Sequence, residues 1–170
     1  MPINWVDVSL NDIGFITGGG TPKTNESKYW DGDIVWVTPA DMSTKSRVLS
    51  YSKRRITSQG LNNSSAKLIN QYSIIMSSRA PIGYLKINSV PVCTSQGCKS
   101  FSPYANALIL IDFIFYSLLA NVKNIQERGS GTTFKEISGN EFGHTRIALP
   151  PLNEQKKISL IIQELEKNIN

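Results

Sequence analysis

The chain is poor in the residues that usually carry chemistry. Its 170 residues include one histidine and two cysteines, and no long apolar run. With His144 alone, any Ser-His-Asp or Cys-His constellation would have to be built on that single residue. No G-x-S-x-G nucleophile motif accompanies it, so a surface or strand-edge position is expected for it. The Gly18-Gly19-Gly20-Thr21 run lacks both the lysine of a phosphate loop and the spacing of a dinucleotide fingerprint. The thirteen acidic residues do not gather as a metal-dependent nuclease would gather them. Pro150-Pro151 is flanked by Leu149 and Leu152, which can neither accept from an adenine amino group nor stack on a flipped base, so adenine methylation is excluded at that pair. The chain reads as non-catalytic, with no bound metal or cofactor of its own.

The scarcity of cysteine has its own meaning. If Cys93 and Cys98 share one extended strand, their spacing puts them on opposite faces roughly 16 Å apart, beyond the ~7 Å reach of a disulfide. A zinc site would need further ligands nearby, so two reduced, buried thiols are expected. The longest apolar stretch, Ala107 to Ala120, is broken by Asp112 and Ser117 and falls short of the ~20 residues of a membrane helix. Met1 to Asp7 shows no basic start or apolar signal core, and a cytoplasmic protein is expected. Apolar residues make up 40% and charged residues 18% of the chain, as in ordinary globular domains that bury a core. Length allows one domain, or one domain plus an appended element.

What is present falls into two halves. Up to about residue 105 the pattern is short strands and turns: Gly14 to Thr17, a flexible loop at Gly18 to Pro22, Ile34 to Val37, Ile74 to Met76, Tyr84 to Ile87, and Val92 to Phe101. Residues 57–69 read as helical or turn-like, starting at Thr57. The period then changes. Asp112 can cap a helix whose Phe115, Leu118, Leu119 and Val122 recur at helical spacing. Ser138-x-x-Glu141 predicts one helical turn, and Arg146 to Leu149 a strand ended by Pro150-Pro151. Asn153 as N-cap and Glu154 open a last helix with Ile158, Ile161, Ile162, Leu165 and Ile169 along one side. No glycine C-cap closes it, so either the protein ends in mid-helix or the sequence belongs to a longer chain. The stripe either folds back on its own domain or forms a subunit interface.

The formal charge is +5, and the cations fall mostly in loops. Lys23 and Lys28 precede Tyr29-Trp30, Lys45 and Arg47 share a polar loop, and Lys53-Arg54-Arg55 form a cluster. Arg79 follows two serines, Gln96 and Lys99 sit in an expected long strand, and Arg128 and Lys135 bracket Gly129-Ser130-Gly131-Thr132-Thr133. Cations on phosphates supply salt-dependent affinity, and Arg or Gln at base edges supply discrimination. The glycine-serine loop offers amides and hydroxyls with little side chain in the way of a phosphate. A nucleic acid is therefore a candidate partner. Taken singly, each cation also fits a solvated surface charge; Tyr29-Trp30 fits either a stacking or wedging pair or the core, and Trp36 the core.

The order of motifs then resembles a known family. Gly19 to Pro22, Tyr29 to Trp36, Ile56-Thr57 with Gly60-Leu61, Ser64 to Leu68, Ser78 to Gly83, Thr94 to Gly97, Gly129 to Thr133 and Pro150-Pro151-Leu152-x-Glu154-Gln155-x-x-Ile158 follow one another as in the target recognition domain of type I restriction–modification specificity subunits. The resemblance implies a mixed α/β (α+β) fold with a twisted, mostly antiparallel sheet and packed helices. Residues 1–150 would be the DNA recognition domain, and 151–170 the start of a spacer or dimerisation helix. It also implies double-stranded DNA as a partner, with sequence-specific recognition of one half of a bipartite target. The partners would be modification subunits, which hold S-adenosylmethionine and methylate adenine, and a restriction subunit. Family members usually carry two recognition domains separated by long helices, whereas this chain has one. A half-subunit that forms a homodimer and a piece of a two-domain subunit both fit. So do two further readings: a recognition domain cut from a fused restriction–methylation enzyme, and a protein-interaction domain with incidental basic charge.

Overall fold

A computed structural model describes residues 2–79, 81–105, 107–133 and 135–169, residue 169 by its backbone alone. Ala80 and the Ile169 side chain therefore lie outside the described residues. The elements run β1 (Val6–Ser9), α1 (Leu10–Ile13), β2 (Gly14–Gly18), β3 (Trp30–Val37), β4 (Val48–Leu49), β5 (Arg54–Ile56), α2 (Ser58–Asn62), β6 (Ile74–Ser77), β7 (Leu85–Asn88), β8 (Val92–Thr94), β9 (Cys98–Pro103), α3 (Ile111–Glu127), α4 (Gly139–Gly143), β10 (Arg146–Leu149) and α5 (Leu152–Ile169), with 3-10 turns at Ser27–Tyr29 and Pro39–Met42.

The strands form three sheets, ordered β2-β9-β6-β7-β4, β5-β3-β8 and β1-β10. Pairing is antiparallel except for β3 with β8 and β4 with β7. The mixed α/β, mostly antiparallel expectation holds, but the β-structure is divided. Side-chain alternation likewise divides the core into clusters. Ile74 and Met76 of β6 enter the core beneath α3 with Leu10, Phe101, Ile114, Leu118 and Phe142. Ile75 between them enters a second core with Val35, Val37, Met42, Val92 and Cys98. A strand buried on both faces reads as an unbroken apolar run, which is how β6 appears in the sequence. Trp36, between Val35 and Val37, points instead into a third cluster with Trp30, Ile56, Ala66 and Cys93.

Several local expectations are revised. Cys93 lies on β8 and Cys98 on β9, separated by the Ser95–Gly97 turn, so they do not share a strand; both are free and buried, in different cores. Gln96 accordingly sits in that turn and not in a strand. Helix α3 begins at Ile111, so Asp112 lies inside its first turn, where its carboxylate meets Arg47 at 3.2 Å. Leu119 is exposed while Phe113, Ile114 and Ile125 are buried, because the helix turns a broader face to the sheet than the expected stripe. Thr57 does cap α2, accepting from Gly60 N at 3.0 Å, but the helix stops at Asn62. Ser138 caps α4 by accepting from Glu141 N. His144 is exposed just past α4, its Nδ1 2.9 Å from Asn140 O.

Helix α5 starts two residues earlier than expected, with Pro151 O accepting from Glu154 N and Gln155 N at 2.9 and 3.1 Å. Asn153 is thus inside the helix. A proline fits immediately before the first turn, where its missing N–H is no loss. The antiparallel β1-β10 ribbon delivers the chain to α5, and Trp5 Nε1 donates to Glu154 at 3.0 Å.

Candidate nucleic-acid interface

The glycine loop after β2 is a clamped segment, contrary to the flexible loop expected. Trp36 Nε1 donates to Gly20 O at 2.9 Å and Trp30 Nε1 to Lys23 O at 3.1 Å. Gly20 N donates to Thr94 O at 2.8 Å. A Cβ on Gly19 would lie 1.8 Å from Ser95 O, so the backbone passes closer to the β8-β9 turn than any side chain permits. The indole N–H groups were the available signal, since a buried tryptophan needs an acceptor. At the tip, the Thr21 hydroxyl donates to Gln96 Oε1.

From Gln96 the contacts continue. Ser78 N donates to Gly97 O at 2.8 Å, and Ile137 N to Ser78 O at 3.0 Å. The Gly129 to Thr133 loop is the tip of a small turn closed by reciprocal bonds between Ser130 and Glu136, at 3.0 and 2.8 Å. Gly131 has φ 123°, a conformation open to glycine. Four sequence-distant segments therefore meet: the Gly-Gly-Thr-Pro loop, Ser78-Arg79, the Ser95–Gly97 turn and the glycine-serine loop. Glu136, which the sequence reading did not select, joins them electrostatically. Lys99 Nζ lies 3.1 Å and Arg79 Nη1 3.6 Å from its carboxylate. Lys99 also donates to Gln96 O and Ser78 Oγ, both at 3.3 Å. Gly131, Thr132, Thr133 and Lys135 are exposed at this edge.

The remaining cations divide into exposed and internally bonded groups. Lys23, Lys28, Lys45 and Lys53 are exposed, with Lys28 3.6 Å from Glu26. Arg47 donates to the Tyr116 hydroxyl at 2.6 Å besides pairing with Asp112. Arg55 donates to the carbonyls of Gly32 and Asp33, at 3.1 and 2.5 Å. Arg128 donates to Glu141 O and Thr145 Oγ1, at 2.6 and 2.7 Å, and so ties α3 to the α4 segment. These three half-buried arginines hold loops in place with the donors that a nucleic acid would need. Arg54 differs: it is exposed, and its guanidinium stacks over the Trp30 ring, 3.6 Å from the centroid.

The stripe on α5 also divides. Ile158 and Ile162 pack against the core beneath α3, whereas Ile161 and Leu165 are 60% and 56% exposed. The physical reason is the anchoring of α5 by buried Gln155 and by Glu166, which accepts from the Tyr116 hydroxyl at 2.8 Å. These turn one flank of the helix inward and leave the adjacent flank in solvent. Among the described residues no group of three His, Cys, Asp or Glu could hold a metal ion, and no helix is long and apolar enough to cross a membrane.

The chain is 30% identical over 165 residues to the specificity subunit of the type I restriction enzyme MjaIX of Methanocaldococcus jannaschii, covering 95% of this chain and 38% of that subunit. It is 29% identical over 169 residues to the EcoR124I/EcoR124II specificity subunit of Escherichia coli, covering 95% of this chain and 41% of the relative. The fold matches the HsdS subunit from Thermoanaerobacter tengcongensis with a TM-score of 0.76 at 19% identity, over 99% of this chain and 39% of that one. It matches a chain from a structural study of assembly and conformational transition of the type I R-M system with a TM-score of 0.78 at 22% identity, over 99% and 40% of the two chains. The chain thus spans about two fifths of the length of these relatives. The family model for the type I restriction modification DNA specificity domain matches residues 2–170, and the chain belongs to that family.

Proposed function

We propose that this domain recognises one half of a bipartite duplex DNA target for a type I restriction–modification complex and catalyses nothing itself. The observation that carries the reading is the meeting of residues 19–22, 78–79, 95–97 and 129–135 around the Lys99–Glu136–Arg79 group. Amides, hydroxyls and cations at one edge suit phosphate and base contacts, and strand ends hold them rigidly. Lys23, Lys28, Lys45, Lys53, Arg54, Arg79, Gln96, Lys99, Lys135 and the 129–133 loop are the contact candidates. Arg47, Arg55 and Arg128 act behind them, fixing the loops.

Modification subunits, which would hold S-adenosylmethionine, and a restriction subunit are the proposed partners, acting on DNA in the cytoplasm. The outward flank of α5, Ile161 with Leu165, is the proposed docking strip. In a chain with one recognition domain, the same strip in a second copy would complete a two-half-site reader, because a two-fold protein pairs naturally with two half-sites. The test is duplex binding by the complex with its modification subunits across a salt series. A discontinuous preferred site with affinity falling steeply in salt is expected. Equal binding of random duplex would overturn the proposal.

A further inference from the structure

We infer that Arg54 reads a guanine base edge, with the Trp30–Trp36 pair serving as its mount. This rests on the DNA-recognition reading above and assigns one residue a base-specific task within it. Trp30 and Trp36 meet edge to face, their centroids 5.1 Å apart and their planes at 87°. The Arg54 guanidinium sits in the corner so formed, 3.6 Å from the Trp30 centroid and 5.2 Å from that of Trp36. Two nearly perpendicular rings restrict the guanidinium in more than one direction, where a single ring would let it slide. Both indoles are in turn fixed through their N–H groups to the clamped loop at Gly20 and Lys23. That loop carries Thr21, which meets Gln96, so Arg54 is linked to the convergent loops through the two indoles and residues 20–23.

Stacking uses the face of the guanidinium and leaves its edge N–H groups available. The other five arginines each have a hydrogen-bonded or ion-paired protein acceptor, Arg146 with Asp7 at 2.6 Å among them. Arg54 has the two tryptophan rings as its partners. A planar fork held in fixed orientation matches two acceptors lying side by side in one plane, the O6 and N7 of guanine in the major groove. A phosphate also accepts from a fork, but it needs no such orientation, and the neighbouring exposed Lys53 serves that purpose as a point charge.

The experiment is selection of bound duplexes from a randomised pool by the complex with its modification subunits, for the wild type, Arg54→Ala and Arg54→Lys. The wild type should require guanine at one position of its half-site. Arg54→Ala should bind that site roughly ten- to a hundredfold more weakly, lose the guanine requirement there and keep every other position. Arg54→Lys should retain part of the guanine preference at that position, and it decides the matter if the alanine variant does not assemble. A uniform loss across all sequences would overturn the assignment in favour of a phosphate contact. Unchanged selection by the variants would reduce Arg54 to a cover for the two indoles. A wild type that selects nothing would bring down the DNA-recognition reading itself, and this assignment with it.

Discussion

The side-chain oxygen of Gln155 accepts a hydrogen bond from the backbone amide of Leu110 at 2.8 Å, joining the first turn of α5 to the start of α3. The same side chain donates to Leu108 O at 3.0 Å and Pro150 O at 2.9 Å, and it is fully buried. Three backbone groups are satisfied by one amide. Gln155→Leu keeps the bulk and removes all three bonds, leaving buried polar groups unpaired. A loss of about 2–4 kcal/mol is expected, read as a lower urea midpoint with unchanged slope. A loss below about 0.5 kcal/mol would show that water replaces the amide at no cost.

Neighbouring glycines should behave differently. A Cβ at Gly18 meets nothing within 4 Å, while one at Gly19 meets Ser95 O at 1.8 Å. Gly18→Ala should leave stability and DNA binding near wild type. Gly19→Ala should push the loop off the β8-β9 turn, with a cost of about 1–3 kcal/mol in thermal unfolding.

Alkaline pH should weaken the fold. Burial pushes the Cys93 thiol up to about 11 and the Cys98 thiol up to about 12, from 9.0. Burial, then the bond to Glu166, raises the Tyr116 phenol to about 12. Below pH 9 these groups are protonated in both states and their contribution is complete. Above it the unfolded chain ionises first and binds fewer protons, so stability falls as pH climbs from 9 towards 11–12. Urea midpoints taken across that range should decline. At pH 8 the native thiols should react with a disulfide reagent roughly a hundredfold more slowly than in urea.

Glu136 neutralises part of the cationic edge. Glu136→Gln should release Lys99 and Arg79 towards the duplex, raising affinity for specific and random DNA alike and steepening the salt dependence by about 1. Weaker binding instead would show that the carboxylate holds the glycine-serine loop in shape. Titrations of the complex at several salt concentrations separate the two.

The two flanks of α5 can be told apart by charge. Ile161→Glu and Leu165→Glu should change unfolding by no more than about 0.5 kcal/mol each while impairing assembly, read as molecular mass in solution. Ile158→Glu places a carboxylate against the core and should cost about 1–3 kcal/mol of stability.

Much of the architecture could be read from residue order. The apolar run of β6, the strand before Pro150-Pro151, the short helix after Ser138 and the long helices α3 and α5 all follow from local patterns. Helix edges were less legible: Asp112 and Asn153 look like caps, yet each helix begins before them. In these places a tertiary bond to Leu110, or a proline immediately upstream, replaces the side-chain cap that a local rule expects. The family likewise follows from motif order, because those motifs are segments that must fit one another in space.

Residue order already carries the scarcity of catalytic groups, the mixed strand and helix content, the reduced thiols and the set of cations. Only the folded chain shows which guanidinium groups are engaged by protein acceptors. Arg47, Arg55 and Arg128 read no differently from Arg54 along the chain, yet three are occupied by carbonyls, hydroxyls or a carboxylate and the fourth rests on two indole faces. It also decided which half of the α5 stripe faces solvent. The physical reason is that a donor's availability depends on which acceptors the fold brings within about 3 Å. Those acceptors come from residues tens of positions away, which no local pattern encodes.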